Sequence, residues 1–458
     1  FAAVKPDGSV VTWGKATFGG DSSSVAQLLS GGVATIYSTS EAFAAVKTDG
    51  SVVTWGSPGL GGVQEASAPG YKVSVAHLLT SGVATIASTY SAFAAVKTDG
   101  SVVTWGQSLA ADSRSVAHLL TSGVATVYST QSAFAAVKTD GSVVTWGTLS
   151  AGGDSSSVAS ALTCGVVSIS STLNAFAAVK TDGSVVAWGD YNYGGEAHSA
   201  QRCPSTCSDL DSGGVTLYSS RHSFAVVKTD GSVVSWGGHG GNSQGRCGEC
   251  WPATASTQIC AYPSPDHDSV ATLLASSVAS ITSAEYAMAA LKEDGSVVTW
   301  GDKRYGADSS SVASDLTSGV ENITATWQAF AALKEDGSVV TWGTSAYGGD
   351  GSVFTSGPVS SVVSDLSSGV VKVYSNRWAF AAVKSDGSVV TWGYAHVGGD
   401  SSSVASDLSS GVATIYSTWR AFAAVKTDGS VVTWGYRYDG GMQEAEIDGN
   451  QVSVAHLL

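Results

Sequence analysis

Arg221-His222, Trp327-Gln328, Arg377-Trp378 and Trp419-Arg420 stand at one recurring place in this sequence, as does Tyr90-Ser91: two residues that change each time inside a nearly constant motif. A second changeable place holds Tyr191-Asn192-Tyr193, Lys303-Arg304-Tyr305 and Tyr436-Arg437-Tyr438. Loops on a rigid scaffold are where binding is carried, and Trp, Tyr and Arg dominate interface hot spots. The candidate binding face is therefore Arg221, His222, Trp327, Arg377, Trp378, Trp419, Arg420, Tyr191, Tyr193, Tyr305, Tyr436 and Tyr438. Neutral drift at exposed loops is the competing reading.

Other reactive residue types are clustered differently. Cys203 and Cys207 fall in an insertion at 190–215, and Cys247, Cys250 and Cys260 in a longer one at 238–268, with Cys164 standing apart. Cys-x3-Cys beside Cys-x2-Cys could make a four-thiolate zinc site; an even six could equally make three disulfides that staple loops lacking a core. Surrounding Pro, Ser and Gly, and Cys260 as a fifth nearby thiol, favour disulfides, an oxidising compartment and no metal. Asn322-Ile323-Thr324 is the one glycosylation sequon. No His-Glu-x-x-His, Gly-x-Ser-x-Gly elbow or phosphate loop is present, so no catalytic residue, cofactor or enzyme activity is expected. The recurring Asp21, Asp154, Asp350 and Asp400 read as caps of a helical turn, or else as calcium ligands short of the usual ligand count.

These residues are positioned by a repeat. Ala42 to Gly56 reads Ala-Phe-Ala-Ala-Val-Lys-Thr-Asp-Gly-Ser-Val-Val-Thr-Trp-Gly, and its Trp recurs at Trp13, Trp55, Trp105, Trp146, Trp188, Trp236, Trp300, Trp342, Trp392 and Trp434, ten copies most often 42 residues apart. Such a period means a repeat architecture. Phe43–Lys47 and Ser51–Trp55 are two strands joined by an Asp-Gly turn that tolerates positive φ, and both faces of the hairpin are apolar, so both must be packed. The spacer adds a short helical turn followed by Gly, then a β-branched strand such as Val33–Thr39. In a three-stranded meander the first-to-second loop and the exit lie at one end and the Asp-Gly turn at the other. Both changeable places thus gather on one face.

Gly411-Val412-Ala413-Thr414-Ile415-Tyr416, Ala421-Phe422-Ala423-Ala424-Val425-Lys426, Asp428-Gly429-Ser430 and Trp434-Gly435 resemble the repeat of the regulator of chromosome condensation family, across all ten copies. The resemblance implies β-propeller blades. The period is closer to that of the compact three-stranded blades of secreted bacterial inhibitor-type propellers and long algal arrays, and ten copies exceed the seven blades usual in the family. Strands of the Val33 type number nine for ten hairpins, so one blade is incomplete. The expected fold is all-β, a single array over 1–458 of tandem three-stranded propeller-type blades, either a closed β-propeller or an open superhelical stack.

Lys plus Arg total 22 against 37 Asp plus Glu, a net charge of −15, which argues against nucleic acid and anionic membrane surfaces. No apolar run is long enough to span a bilayer. The chain opens at Phe1, within a repeat and without Met, which is compatible with a removed leader. The function expected is a non-enzymatic, secreted or cell-surface structural or adhesive protein whose variable face meets other subunits, extracellular proteins or glycans. Its terminal copies are as apolar as the internal ones, so end-to-end assembly into a filament is expected. A soluble inhibitor-like propeller is the alternative. An intracellular exchange-factor or ubiquitin-ligase type fits the acidic charge and the cysteines less well.

Overall fold

An Asp-Gly turn closes each hairpin. In the second repeat Gly50 sits at φ 76°, and the Asp49 carboxylate accepts from the Ser51 amide at 2.9 Å and from its hydroxyl at 2.6 Å. These bonds, the hydroxyl's first, hold the Asp49 carboxyl below its ordinary range. The turn sets the register of β4 (Ala42–Lys47) on β5 (Val52–Gly56), with Phe43 opposite Trp55 and Ala45 opposite Val53, while β3 (Val33–Ser38) pairs antiparallel along the other edge of β4. The computed structural model describes residues 1–196, 210–237, 267–354, 360–442, 444–447 and 450–453. Over these residues, nine repeats form a meander that includes these three strands, and the first repeat contributes β1 (Ala2–Val4) and β2 (Val10–Thr12). Short 3-10 turns such as Ser23–Val25, or in one spacer the α-helix His267–Leu273, lead into the first strands.

Alternation along the hairpin divides its side chains between two interfaces. Phe93, Ala95 and Trp105 pack on Ala42, Ala44 and Val46 of the preceding blade; Ala92, Ala94 and Val96 pack on Phe134, Ala136 and Trp146 of the following one. Small Ala on one side receives the Phe/Trp pair from the other, and these buried pairs lie ring on ring, for example Phe43 on Trp55 at 5.2 Å. The indole N–H reaches across the interface to a backbone carbonyl of the preceding blade: Trp55 to Gly19 at 3.0 Å, Trp188 to Gly152 at 3.1 Å, Trp434 to Gly398 at 3.0 Å, and Trp146 to Ala110 at 3.0 Å, where an alanine takes the place of the glycine. At Gly19 (φ 85°) a Cβ would stand 2.6 Å from the Phe43 ring, so this position tolerates no side chain.

The same bond joins the two ends of the chain. Trp13 donates its indole N–H to the Gly440 carbonyl at 3.2 Å, Lys15 N donates to Tyr438 O at 3.3 Å, and Val11 and Trp13 pack on Ala423 of the last blade. Ala2 and Val10 pack on the other side against the second blade. The succession of interfaces thus returns to its start, which is the closed arrangement of the two expected. The apolar faces whose exposure suggested end-to-end stacking cover each other. Among the described residues no strand pairs with the free edge of β1, where a first strand would lie.

Two of the longer repeat spacings contain extra hairpins that the repeat pattern does not foretell. β6 (Glu65–Ala68) and β7 (Tyr71–Ser74) form one, and β6 adds in parallel to β10 (Val102–Gln107) of the third blade, whose other strands are β8 (Val83–Ser88) and β9 (Ala92–Lys97). Ser352–Phe354 adds to Val389–Tyr394 in the same way. The recurring acidic residue is not itself the cap but closes a turn one residue before it: Asp21 accepts from the Ser23 amide at 2.8 Å while Ser22 stands at the N-cap, Asp154 and Asp400 do likewise, and Asp350 accepts from the Ser352 amide at the start of the strand Ser352–Phe354.

Replacing Trp342, 1% exposed and bonded to Gly306 O at 3.0 Å, by Ala should cost about 3–5 kcal/mol. Denaturant unfolding measures it. Trp419→Ala, at an exposed rim position, should stay within about 0.5 kcal/mol of the parent; equal losses would contradict the separation of core from rim.

Candidate binding rim

First strands of neighbouring blades lie side by side, tied by serine hydroxyls: Ser88 to Ser38 O, Ser129 to Ser88 O and Ser171 to Ser129 O, each at 2.7 Å. They form the inner wall of the ring. At one end of it the changeable pairs are chained by backbone bonds, Tyr90 N to Gln131 O, Gln131 N to Leu173 O, Leu173 N to Arg221 O, Glu285 N to Trp327 O and Trp327 N to Arg377 O, at 2.9 to 3.1 Å. The first-to-second loops therefore make a continuous rim. The exit loops adjoin it, since Ser57 N donates to Glu41 O and Thr148 N to Ser132 O, both at 2.9 Å.

Chemistry around this rim is unequal. From Ser40 to Asn174 the pairs hold no arginine and one charge, Glu41: they are Ser40-Glu41, Tyr90-Ser91, Gln131-Ser132 and Leu173-Asn174. From Arg221 to Arg420 they are aromatic and charged. His222 lies between Tyr193 (4.7 Å) and Tyr286 (4.3 Å), and Tyr286 meets Tyr305 edge-on at 4.6 Å. Trp378 stacks on Tyr347 at 4.8 Å, with Trp327 at 5.9 Å and Tyr394 edge-on at 6.1 Å. The Arg377 guanidinium covers the Trp327 ring and lies 4.9 Å from Trp419, while Arg221 reaches Trp327 at 5.2 Å from the other side. Arg221 pairs with Glu285 at 3.5 Å, and Arg420 makes a two-pronged pair with Asp439 at 2.7 and 3.2 Å while lying 4.2 Å over Tyr436.

The twelve residues expected to form a binding face thus divide. Arg221, His222, Tyr193, Tyr305, Trp327, Arg377, Trp378 and Trp419 fall in one contiguous arc; Arg420 and Tyr436 extend it, and Tyr438 meets Tyr436 at 5.6 Å. Tyr191 is exposed beside this arc in the turn Tyr191–Tyr193. Glu285-Tyr286, the corresponding pair of the seventh repeat, and Tyr347 and Tyr394, the exit-loop tyrosines of the eighth and ninth, join the arc although the sequence expectation does not include them. Their repeat position was the available signal.

Burial sets the electrostatics. His222 is 8% exposed, its Nε2 has no hydrogen-bond partner, and burial, then the Arg221 charge, lower its pKa to about 4. Burial raises the Glu285 carboxyl despite Arg221 and Arg377. Burial and then Arg221 bring Arg377 down to about 10.

The remaining sequence candidates lie elsewhere. Cys164 is exposed and carries no bridge in this structure. It precedes Gly165, against which Gly141 of an Asp-Gly turn abuts. Cys203, Cys207, Cys247, Cys250 and Cys260 lie outside the described residues. Asn322 is exposed on the first strand Val320–Ala325, opposite Leu333. No group of three or more His, Cys, Asp or Glu is placed to hold a metal among the described residues, and no helix among them is long and apolar enough to cross a membrane.

No protein-family model and no curated protein matches the chain. Solved structures that resemble it include Prp20p from Saccharomyces cerevisiae, a structure concerned with binding to Gsp1p and histones (15% identity over 62% of this chain and 73% of that one, TM-score 0.32). Others are the ectodomain of the Physcomitrella patens receptor kinase CR4 (14% identity, 69% and 73%, TM-score 0.32) and BamB from Moraxella catarrhalis (10% identity, 88% and 91%, TM-score 0.28). The β-propeller arrangement of this chain rests on its own blade-to-blade contacts.

Because folded His222 resists protonation, the unfolded chain binds a proton first as the pH falls from 6.5 toward about 4. Stability should decline across that window and level off below it. Thermal melts at stepped pH check this, and His222→Phe should flatten that part of the profile.

Proposed function

We propose that this chain is a non-enzymatic repeat scaffold that works outside the cell as a structural or adhesive protein and meets protein partners through the aromatic–arginine arc of its rim. One observation carries the reading: five repeats that are near copies elsewhere place dissimilar Trp, Tyr and Arg residues where they converge into one surface, between Arg221 and Arg420. Side chains of this kind, on loops held by a rigid ring, supply contact area at little ordering cost. The order of first strand, Asp-Gly turn and Trp-Gly pair supports kinship of the repeats with those of the regulator of chromosome condensation family. With the end faces covering each other, association between copies is assigned to the rim and not to stacking of terminal blades. The cysteine-rich insertions and the acidic surface support the extracellular setting.

Replacing Trp327, Trp378 and Trp419 together by Ala should abolish concentration-dependent association seen by light scattering, or capture of a partner, while the melting temperature moves by only a few degrees. Unchanged association in a folded triple variant would remove the rim from the function. The extracellular setting is tested separately by mass mapping of peptides prepared without reductant. Bridges among Cys203, Cys207, Cys247, Cys250 and Cys260, with Cys164 free, are expected; five reduced thiols or stoichiometric zinc would contradict that location.

A further inference from the structure

The first-to-second loops of the rim arc hold three arginines, Arg221, Arg377 and Arg420, and two of them have a carboxylate in ion-pair range. Glu285 faces Arg221, and Asp439 holds Arg420 by both of its oxygens. Arg377, between them, has no carboxylate in ion-pair range among the described residues, and its buried Nε has no acceptor. A guanidinium in that state is costly, because it has given up water while the one carboxylate that acts on it, Glu285, lies beyond ion-pair range and is shared with Arg221. Indole faces compensate only in part: Trp327 lies under it and Trp419 stands 4.9 Å away. Trp419 is itself 59% exposed, an unusual degree for an indole beside a half-buried charge. An unsatisfied cation and an uncovered ring are thus neighbours on adjacent repeats.

We infer that the arc is a docking site for an acidic, extended segment of a protein partner, one carboxylate of which pairs with Arg377 while an adjoining apolar or aromatic side chain covers Trp419. This inference rests on the reading of the rim as a binding surface and names the chemistry of its occupant. A carboxylate is the planar anion that a guanidinium engages with geometric fit. A glycan is the less suitable occupant, because recognition of sugars through their hydroxyls requires several free polar groups beside the ring, and three of those nearest Trp419 and Trp378 are spent. Asn376 donates to Val397 O at 2.6 Å and accepts from the Trp378 and Ala379 amides; Thr418 donates to Asp439 O at 2.9 Å; Arg420 is held by Asp439. Against a protein of net charge −15, a polyanion finds no general attraction, so its binding would report the arc itself.

The test uses the full chain and a fluorescein-labelled peptide of glutamates flanking one tyrosine, followed by polarisation at low salt. The parent should bind it, more weakly as salt rises, and should not bind the peptide with lysines in place of the glutamates. Arg377→Met should weaken binding by roughly tenfold or more, with Arg377→Lys intermediate. Lys97→Met, on the opposite face, should leave it unchanged, and near-ultraviolet circular dichroism should show that all three variants keep the parent fold. Equal binding by parent and Arg377→Met would overturn the proposal. So would binding of polygalacturonate in preference to the peptide, which would assign the arc to a glycan. Absence of peptide binding while the triple tryptophan variant still loses association would reject the acidic occupant and leave the rim as an interface; loss of neither would reject both.

Discussion

A buried indole N–H has to find an acceptor, and in this ring it finds one only in the next unit. Each blade-core Trp whose bond is described donates across an interface to the backbone of the preceding blade, as Trp105 does to Gly61 and Trp392 to Gly348. The side chain with the largest apolar area therefore cannot be satisfied within its own repeat. Packing and polar satisfaction are achieved together or not at all, which ties each blade to its neighbour. The residue whose carbonyl accepts, a glycine in these bonds except Ala110 beneath Trp146, must also leave room for the Phe stacked on that Trp, so groups from two repeats act as one unit. Applied to Trp13 and Gly440, the same requirement joins the first hairpin to the last blade.

Constancy of the core frees the rim to vary. Blade-to-blade contacts are made by Ala, Val, Phe and Trp at fixed positions, and the turns by Asp, Gly and Ser, leaving two residues per first-to-second loop with no role in holding neighbours apart from their backbone bonds. Those bonds keep the loops close together, so side chains from successive repeats touch. Trp327, Arg377 and Trp419 belong to three repeats and form one cation–π assembly. A rigid frame thus brings scattered substitutions into one surface and also shields part of it, which is why His222 and Arg377 are pushed toward their neutral forms.

Much of this was legible in the sequence because the period exposes it. Alternation in Ala-Phe-Ala-Ala-Val-Lys required two packed faces, Asp-Gly required a turn, and strand order placed both changeable loops at one end. The insertion hairpins were not legible: Gln64–Ser74 carries no strong alternation, and β6 is held by pairing with a strand some forty residues away, Ala66 opposite Gly106. Glu285 and Tyr286 could have been found by aligning repeats; Tyr347 and Tyr394 sit in otherwise unremarkable exit loops.

By itself the sequence determined the local units, since a strand, a turn and an interface of fixed polarity depend on residues only a few positions apart. It also determined which positions were free to differ. Whether the array returns to its start depended on the small angle between successive blades, summed over the whole chain, which no local pattern encodes. Which carboxylates neutralise which arginines was likewise decided only in three dimensions. Arg221 pairs with Glu285 of the next repeat, Arg420 with Asp439 of its own, and Arg377 has neither in ion-pair range, because partners are assigned by distance across the rim and not by spacing along the chain.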